Sequence, residues 1–332
     1  MSIKKLTVGG LFSGVGGIEL GFIQSGFSVL WGNEIDKHCS ITYRANFDHK
    51  LFEKDINLLK GNEVSNVDVL CGGFPCQAFS IAGYQKGFED SRGNIFFQII
   101  RLINEMKSKP RVLFLENVKN LRSHDKGRTF ETIVNIISEN GYSVFFDVLN
   151  TSDFTNVPQN RERTFIVCFR NESNWEFSKN REKTLSYKFS KLFPPKKKNK
   201  TFPISKFLEN GEIDEKYFYR QDKYMYPFLR ESMTSSETMY QWRRKYVREN
   251  KSNRCPTLTA NMGTGGHNVP LIKTDEGFRK LTPRECFNFQ GFPKNFKLPK
   301  ELPNTQLYKQ AGNAVTVSMI KVLAEAIKKS LQ

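Results

Sequence analysis

The chain has 332 residues, 38% hydrophobic and 13% aromatic, with 29 phenylalanines. This is core-forming material for about two domains, and it excludes wholesale disorder. No apolar run approaches the roughly 20 residues of a membrane span, and the N-terminus breaks at glycines too early for a signal peptide. A soluble, cytoplasmic protein is expected, and a formal charge of +17 suits contact with a polyanion.

Over the first 170 residues, short β-rich runs alternate with amphipathic helical ones. The first strand, 6–12 (LTVGGLF), runs into a turn carrying Gly14, Gly16 and Gly17, and a helix follows over 16–26. Such a turn lets backbone approach a ligand closely before a helix N-terminus. The second strand, 28–35, closes on Glu34, where an acidic side chain can bind ribose hydroxyls. After a helix over 36–46, a third strand, 49–56, ends in Asp55 and Ile56, placed to hydrogen-bond and sandwich an adenine. The turn is GxGG rather than GxGxxG, which suits a nucleoside ligand without pyrophosphate, such as S-adenosylmethionine. A Gly-rich turn alone serves plain packing as often. Three such features at successive strand ends say more.

The fourth strand, 67–73, leads into CGGFPCQAFS. Six cysteines are scattered without a CxxC pair, and with four histidines they give no zinc-ligand spacing. Cys39, Cys71, Cys168 and Cys286 read as small buried hydrophobes. Cys76 differs. It follows Gly-Gly-Phe-Pro at a strand's carboxyl end, which makes it a candidate nucleophile. The Gly-rich stretch after it reads as a loop able to close over substrate.

A helix over 94–108 precedes the fifth strand, 111–118, which ends at Glu116-Asn117 beyond the apolar run 112–115. A partly buried, protonated Glu116 could donate to a ring nitrogen. Alone it is as readily a surface carboxylate; sharing a sheet edge with Cys76 shifts the balance. The helix over 129–141 gathers Phe130, Ile133, Val134, Ile136 and Ile137 on one face and stops at Gly141. Strands at 142–150 and 163–170 follow, the latter opened by Gln159-Asn160-Arg161-Glu162-Arg163, either an exposed charged turn or a set of fixed donors. This alternation predicts an open, mostly parallel α/β sheet covered on both faces.

The pattern stops near 175. Residues 1–70 carry seven basic and eight acidic side chains, whereas 181–250 carry seventeen and nine. That second stretch interleaves its charge with Tyr217, Tyr219, Tyr224, Tyr240, Trp242 and Tyr246. A regional excess of this size points to phosphate neutralisation, and 181–253 reads as irregular. A final helix is expected over 312–332.

FSGVGG, the Glu34 position, Phe74-Pro75-Cys76-Gln77, Glu116-Asn117-Val118, Gln159-x-Arg161-x-Arg163 and Gln310-x-Gly312-Asn313 occur in this order. So spaced, they resemble the motifs of DNA (cytosine-5)-methyltransferases of bacterial type II restriction–modification systems, over nearly the whole chain. Cys255-Pro256-Thr257-Leu258-Thr259-Ala260 and Leu281-Thr282-Pro283-Arg284-Glu285-Cys286 match the family's second domain. One departure is Val8-Gly9-Gly10-Leu11 before Phe12, where Asp-Leu-Phe is common.

The resemblance implies a class I, Rossmann-like S-adenosylmethionine-dependent methyltransferase fold. Residues 1–180 and 305–332 would form the catalytic domain and 181–304 a smaller target-recognition domain, with DNA between them. It implies cofactor contacts by Phe12, Gly14, Gly16, Gly17, Glu34, Ile35, Asp55, Ile56, Pro75, Asn313, Ala314 and Val315. Cys76 would attack C6 of a flipped-out cytosine, Glu116 would hold N3 and the exocyclic amine, Arg163 would support O2, and Arg161 would help place loop and substrate; no metal is required. DNA contacts fall to Gln77, Ser80, Arg243, Arg244, Lys245, Thr257 and Thr259. Double-stranded DNA is the implied partner of a monomer in the bacterial cytoplasm, with protection from a cognate restriction endonuclease as the role. An RNA cytosine-5 methyltransferase of the same fold would share nearly every motif. A nicotinamide-dependent oxidoreductase would leave Cys76, Glu116 and the basic region unexplained, and a non-catalytic DNA-binding module would leave the strand-end motifs so.

Overall fold

Period-two and wholly apolar runs become strands where both faces can be covered. The computed structural model describes residues 5–74, 95–170, 187–197, 201–243, 245–250, 252–264 and 269–332. Its larger sheet contains β1 (Thr7–Leu11), β2 (Ser28–Asn33), β3 (Lys50–Phe52), β4 (Val69–Gly73), β5 (Val112–Val118), β6 (Tyr142–Asn150) and β7 (Glu162–Arg170). Their order is β3-β2-β1-β4-β5-β7-β6. The first five in this order pair in parallel, and β7 runs antiparallel to β5. The order reverses between β1 and β4, so their carboxyl ends flank the crevice where open α/β sheets take ligands. All seven expected strands are present, with helices α1 (Gly17–Gln24), α2 (Lys37–Arg44), α3 (Ile95–Glu105) and α4 (Arg128–Glu139) between them. The mostly parallel α/β class follows as expected.

Central strands of such a sheet are buried on both faces, which is why Val69, Leu70, Val112, Leu113 and Phe114 are fully inaccessible. α3 contributes Phe96, Ile99, Ile100 and Ile103 to the same core, and α4 contributes Ile133 and Ile137. Each such side chain stabilises by about 1.5–3 kcal/mol relative to exposure. Two expected boundaries move. β3 ends at Phe52, because Asp55 caps a 3₁₀ turn over Ile56–Leu58 by accepting from the Asn57 amide at 2.8 Å. The last helix, α8 (Val317–Leu331), begins five residues late, because a separate helix, α7 (Asn304–Asn313), ends just before it.

The chain divides into two compact units, one comprising the chain to Leu149 with 162–195 and 320–332, the other 150–161 with 196–319. The short stretch 150–161 joins the second unit because its backbone bonds there: Asn160 N donates to Cys255 O at 2.9 Å, and the Thr151 and Thr316 hydroxyls meet at 3.0 Å.

The second unit corrects the expectation of irregular chain over 181–253. β8 (Phe218–Tyr219), β9 (Tyr240–Arg243), β10 (Tyr246–Glu249), β11 (Leu271–Thr274) and β12 (Gly277–Lys280) form an antiparallel sheet ordered β10-β9-β11-β12-β8. α5 (Tyr226–Ser232) packs Leu229 with Met233, Tyr240, Trp242 and Leu271. α6 (Pro283–Phe289) opens with a reciprocal Thr282–Glu285 capping box. Glu285 is fully buried, and Arg279 grips its two oxygens at 2.7 and 2.8 Å.

Candidate active site

The turn after β1 is built from left-handed backbone: φ is 53° at Phe12, 54° at Gly14 and 83° at Gly16. Glycine tolerates this at no steric cost. Gly16 has a second reason, since a Cβ there would sit 2.2 Å from the Phe47 ring. Among the described residues no atom lies within 4 Å of the would-be Cβ of Gly14, so they leave that face of the turn open. Gly17 then begins α1.

Glu34 ties this turn to the end of β2. One carboxylate oxygen accepts from Gly14 N at 2.7 Å, and the other accepts from Ile35 N and Asp36 N at 2.8 and 2.7 Å. Asp36 in turn caps α2. The two isoleucines expected at the cofactor part company: Ile35 is 64% exposed, whereas Ile56, expected against an adenine, is 4% exposed and belongs to the core. Phe12 packs half-buried on that core, and Asp55 is half-buried beside Ile56. An open glycine face, an anchored acid and a presented apolar side chain fit a nucleoside with free ribose hydroxyls.

Sheet register builds the second cluster. Glu116 lies opposite Gly73 of β4, and a Cβ on Gly73 would stand 3.1 Å from a Glu116 oxygen, so glycine gives the carboxylate its room. On the antiparallel side Arg163 pairs with Val118 and reaches back to Glu116, Nε to Oε1 at 3.0 Å. Both side chains are mostly buried, and Glu116 is 8% exposed. The partial burial expected of this carboxyl is present, and the Arg163 guanidinium is set against it. Asn117, 2% exposed, donates to Phe74 O at 2.8 Å and anchors the backbone immediately before Pro75-Cys76. Pro75, Cys76, Gln77, Ser80 and the expected loop lie outside the described residues. The five other cysteines are free and buried, and burial pushes the Cys71, Cys168, Cys255 and Cys286 thiols up, away from the reactive thiolate. Among the described residues, no group of three or more His, Cys, Asp or Glu could hold a metal ion.

Arg161, two residues from Arg163, goes elsewhere. In the second unit it is 2% exposed and donates to the carbonyls of Leu258, Gly312 and Ala314 at 2.8, 3.1 and 2.7 Å. Gln159 is likewise inaccessible and donates to Phe289 O. Of the donors expected for a base or phosphate, these two are turned to backbone carbonyls instead. Gly312 admits no Cβ, which would fall 2.2 Å from the Thr259 carbonyl. Thr257 donates to Asn160 O and Thr259 to Asn261 Oδ1, at 2.5 and 2.6 Å. Asn313 is exposed, Ala314 half-buried and Val315 buried. Arg243 and Lys245 are exposed at the turn between β9 and β10, and Arg244 lies outside the described residues.

Sequence reasoning overlooked Glu19. It is 1% exposed on α1, beside the Ser13 hydroxyl. Its signal was an acid within the otherwise apolar face of a short helix.

A family model described as "C-5 cytosine-specific DNA methylase" matches residues 6–329. The type II methyltransferase M.Bsp6I of Bacillus sp. strain RFL6 is 53% identical over 330 residues, covering 98% of this chain and 99% of that protein. The type II methyltransferase M.HhaI of Haemophilus parahaemolyticus is 37% identical over 340 residues, covering 97% and 94%. Among solved structures, an S. pombe Dnmt2 methyltransferase superposes with a TM-score of 0.73 at 17% identity, over 99% of this chain and 100% of that one, a likeness of fold.

Proposed function

Since the chain belongs to the C-5 cytosine-specific DNA methylase family, we propose that it methylates one cytosine within a short duplex DNA sequence through a covalent bond between Cys76 and C6. The coarser activity is that of the family: a DNA (cytosine-5-)-methyltransferase using S-adenosylmethionine. The observation that carries the finer reading is the Glu116–Arg163 pair at the carboxyl edge of the sheet, with Asn117 holding the backbone at Phe74.

Cytosine C5 is a poor nucleophile, so electrons must first enter the ring. The Cys76 thiolate adds to C6, and the C5–C6 π pair shifts toward N3, where a proton delivered through Glu116 stabilises the enamine. Arg163 holds the Glu116 carboxyl in place and offers its remaining N–H groups to O2. When bound, S-adenosylmethionine supplies the electrophilic methyl that C5 takes up. Loss of the C5 proton and departure of the Cys76 sulfur restore the aromatic ring. A stacked base hides C6, so the cytosine is flipped out. Toward the cofactor, Glu34 offers its remaining lone pairs to the ribose, Ile35 its apolar surface to the adenine, and the turn from Phe12 to Gly17 its backbone. The enzyme acts as a monomer and protects DNA from an endonuclease of the same specificity.

Fluorine at C5 cannot leave as a cation, so duplex DNA with 5-fluorocytosine at the target tests the reading. The methylated adduct should survive denaturing electrophoresis, require S-adenosylmethionine and vanish in Cys76→Ser, whose hydroxyl is a far weaker nucleophile. Cys71→Ser should still trap. Near-normal methylation by Cys76→Ser, or a trapped peptide with another cysteine, would overturn it.

A further inference from the structure

The β9–β10 hairpin presents two faces of opposite character, as period-two alternation requires. Its register pairs Arg243 with Tyr246, Trp242 with Val247, Gln241 with Arg248 and Tyr240 with Glu249. Tyr240 and Trp242 face the core of the second unit, with Val247 packed against them. Gln241, Arg243, Tyr246 and Arg248 therefore share the other face. Gln241 is itself 7% exposed, and its single carbonyl oxygen accepts from both Arg243 Nη2, at 3.2 Å, and Arg248 Nη2.

Two guanidiniums converging on one neutral oxygen is an uncommon arrangement for a purely structural device. Like charges held close repel, and a carboxylate would neutralise them, yet among the described residues neither arginine has an ion-pair partner. Both are exposed, and each commits one nitrogen to Gln241, so the other N–H groups of its fork are available to a further acceptor. Phosphate contact does not need such orientation, since a flexible point charge suffices. Reading a base edge does, because a planar fork must meet two acceptors at once. A two-stranded ribbon fits the major groove, and the partner of an arginine fork there is guanine, through O6 and N7. Gln241 cannot itself read adenine, its oxygen being occupied and its side chain buried.

We propose that the β9–β10 hairpin enters the major groove of the target and that Arg243 and Arg248, braced by Gln241, each read a guanine. This deepens the DNA-methylation reading and rests on it. The target is first located by bisulfite sequencing of DNA from cells expressing the full chain; a wild-type protein that methylates nothing fails that reading, before the hairpin is tested. Duplexes are then made with 7-deazaguanine, which lacks the N7 acceptor, at each target guanine in turn, on both strands. Wild-type kcat/KM should fall about tenfold or more at two of these positions. Arg243→Ala and Arg248→Ala should each lower kcat/KM on natural DNA by a similar factor and abolish the response to 7-deazaguanine at one position only. Gln241→Leu should weaken the response at both. Because the two arginines are exposed, their variants should keep wild-type circular dichroism, and the positional response is a ratio within one protein, independent of its folded fraction. The inference is overturned if no guanine substitution affects the wild type, or if the arginine variants keep its full positional response. A uniform loss with unchanged discrimination would mean phosphate contact, which also overturns it.

Discussion

Replacing Glu19 by glutamine tests the electrostatics beneath the glycine turn that follows β1. The Glu19 carboxyl packs over Gly10, whose would-be Cβ lies 2.0 Å from Oε1 and 3.0 Å from the Ser13 hydroxyl. Among the described residues its titratable neighbours are Tyr43, Glu34 and the Cys71 thiol, with His49 on the far side of the Tyr43 hydroxyl at 2.5 Å. Burial pushes its pKa from the usual 4.5 up to about 7. The folded protein then holds a proton that the unfolded chain has released across that window, so stability falls as pH rises from 4.5 to 7 and levels off above. A shift of about 2.5 units at 1.36 kcal/mol each is roughly 3 kcal/mol. Glutamine has nearly the same shape and no charge. Glu19→Gln should therefore gain on the wild type by about 2.5 kcal/mol between pH 5 and pH 8, or about 5–10 °C in Tm for a unit of this size. Thermal and urea unfolding at fixed ionic strength, followed by circular dichroism at pH 5, 6, 7 and 8, read the difference. A constant offset between the two proteins across that range would refute the reasoning, since Glu19 would then not titrate there.

Arg161→Met removes a donor from three carbonyls in the second unit, and among the described residues only one of them, Ala314 O, keeps another, from Gln290 Nε2 at 3.2 Å. At about 1–3 kcal/mol for each unsatisfied buried group, a loss of about 4 kcal/mol is expected in denaturant unfolding, with methylation falling in step with the folded fraction; a variant that unfolds like wild type but does not methylate would give Arg161 a direct chemical role. Ile35→Ser removes an apolar side chain that is 64% exposed, so Tm should hold within about 2 °C while S-adenosylmethionine binds about tenfold more weakly in calorimetry. Unchanged affinity would remove Ile35 from the cofactor site.

The sequence alone determined the larger sheet. Its seven strands and four connecting helices each carry a full period or more of hydrophobic pattern, and that signal is local. Gly14, Gly16, Glu34 and Glu116 were legible for a similar reason: tight turns demand glycine, and polar residues ending apolar strands stand out. Tertiary structure decided the rest. The small sheet escaped because its strands of two to four residues, such as Phe218–Tyr219 and Tyr240–Arg243, lack the flanking strand–helix alternation that picked out β3, itself three residues long. No pattern separates Ile35 from Ile56, since exposure depends on what packs above each residue. Nor does spacing reveal that Arg163 meets Glu116 across β5–β7 while Arg161 closes on carbonyls 97 to 153 residues away. Those contacts join segments whose separation along the chain carries no signal, and only the folded backbone, by demanding that each buried donor and acceptor be paired, assigns each arginine its partner.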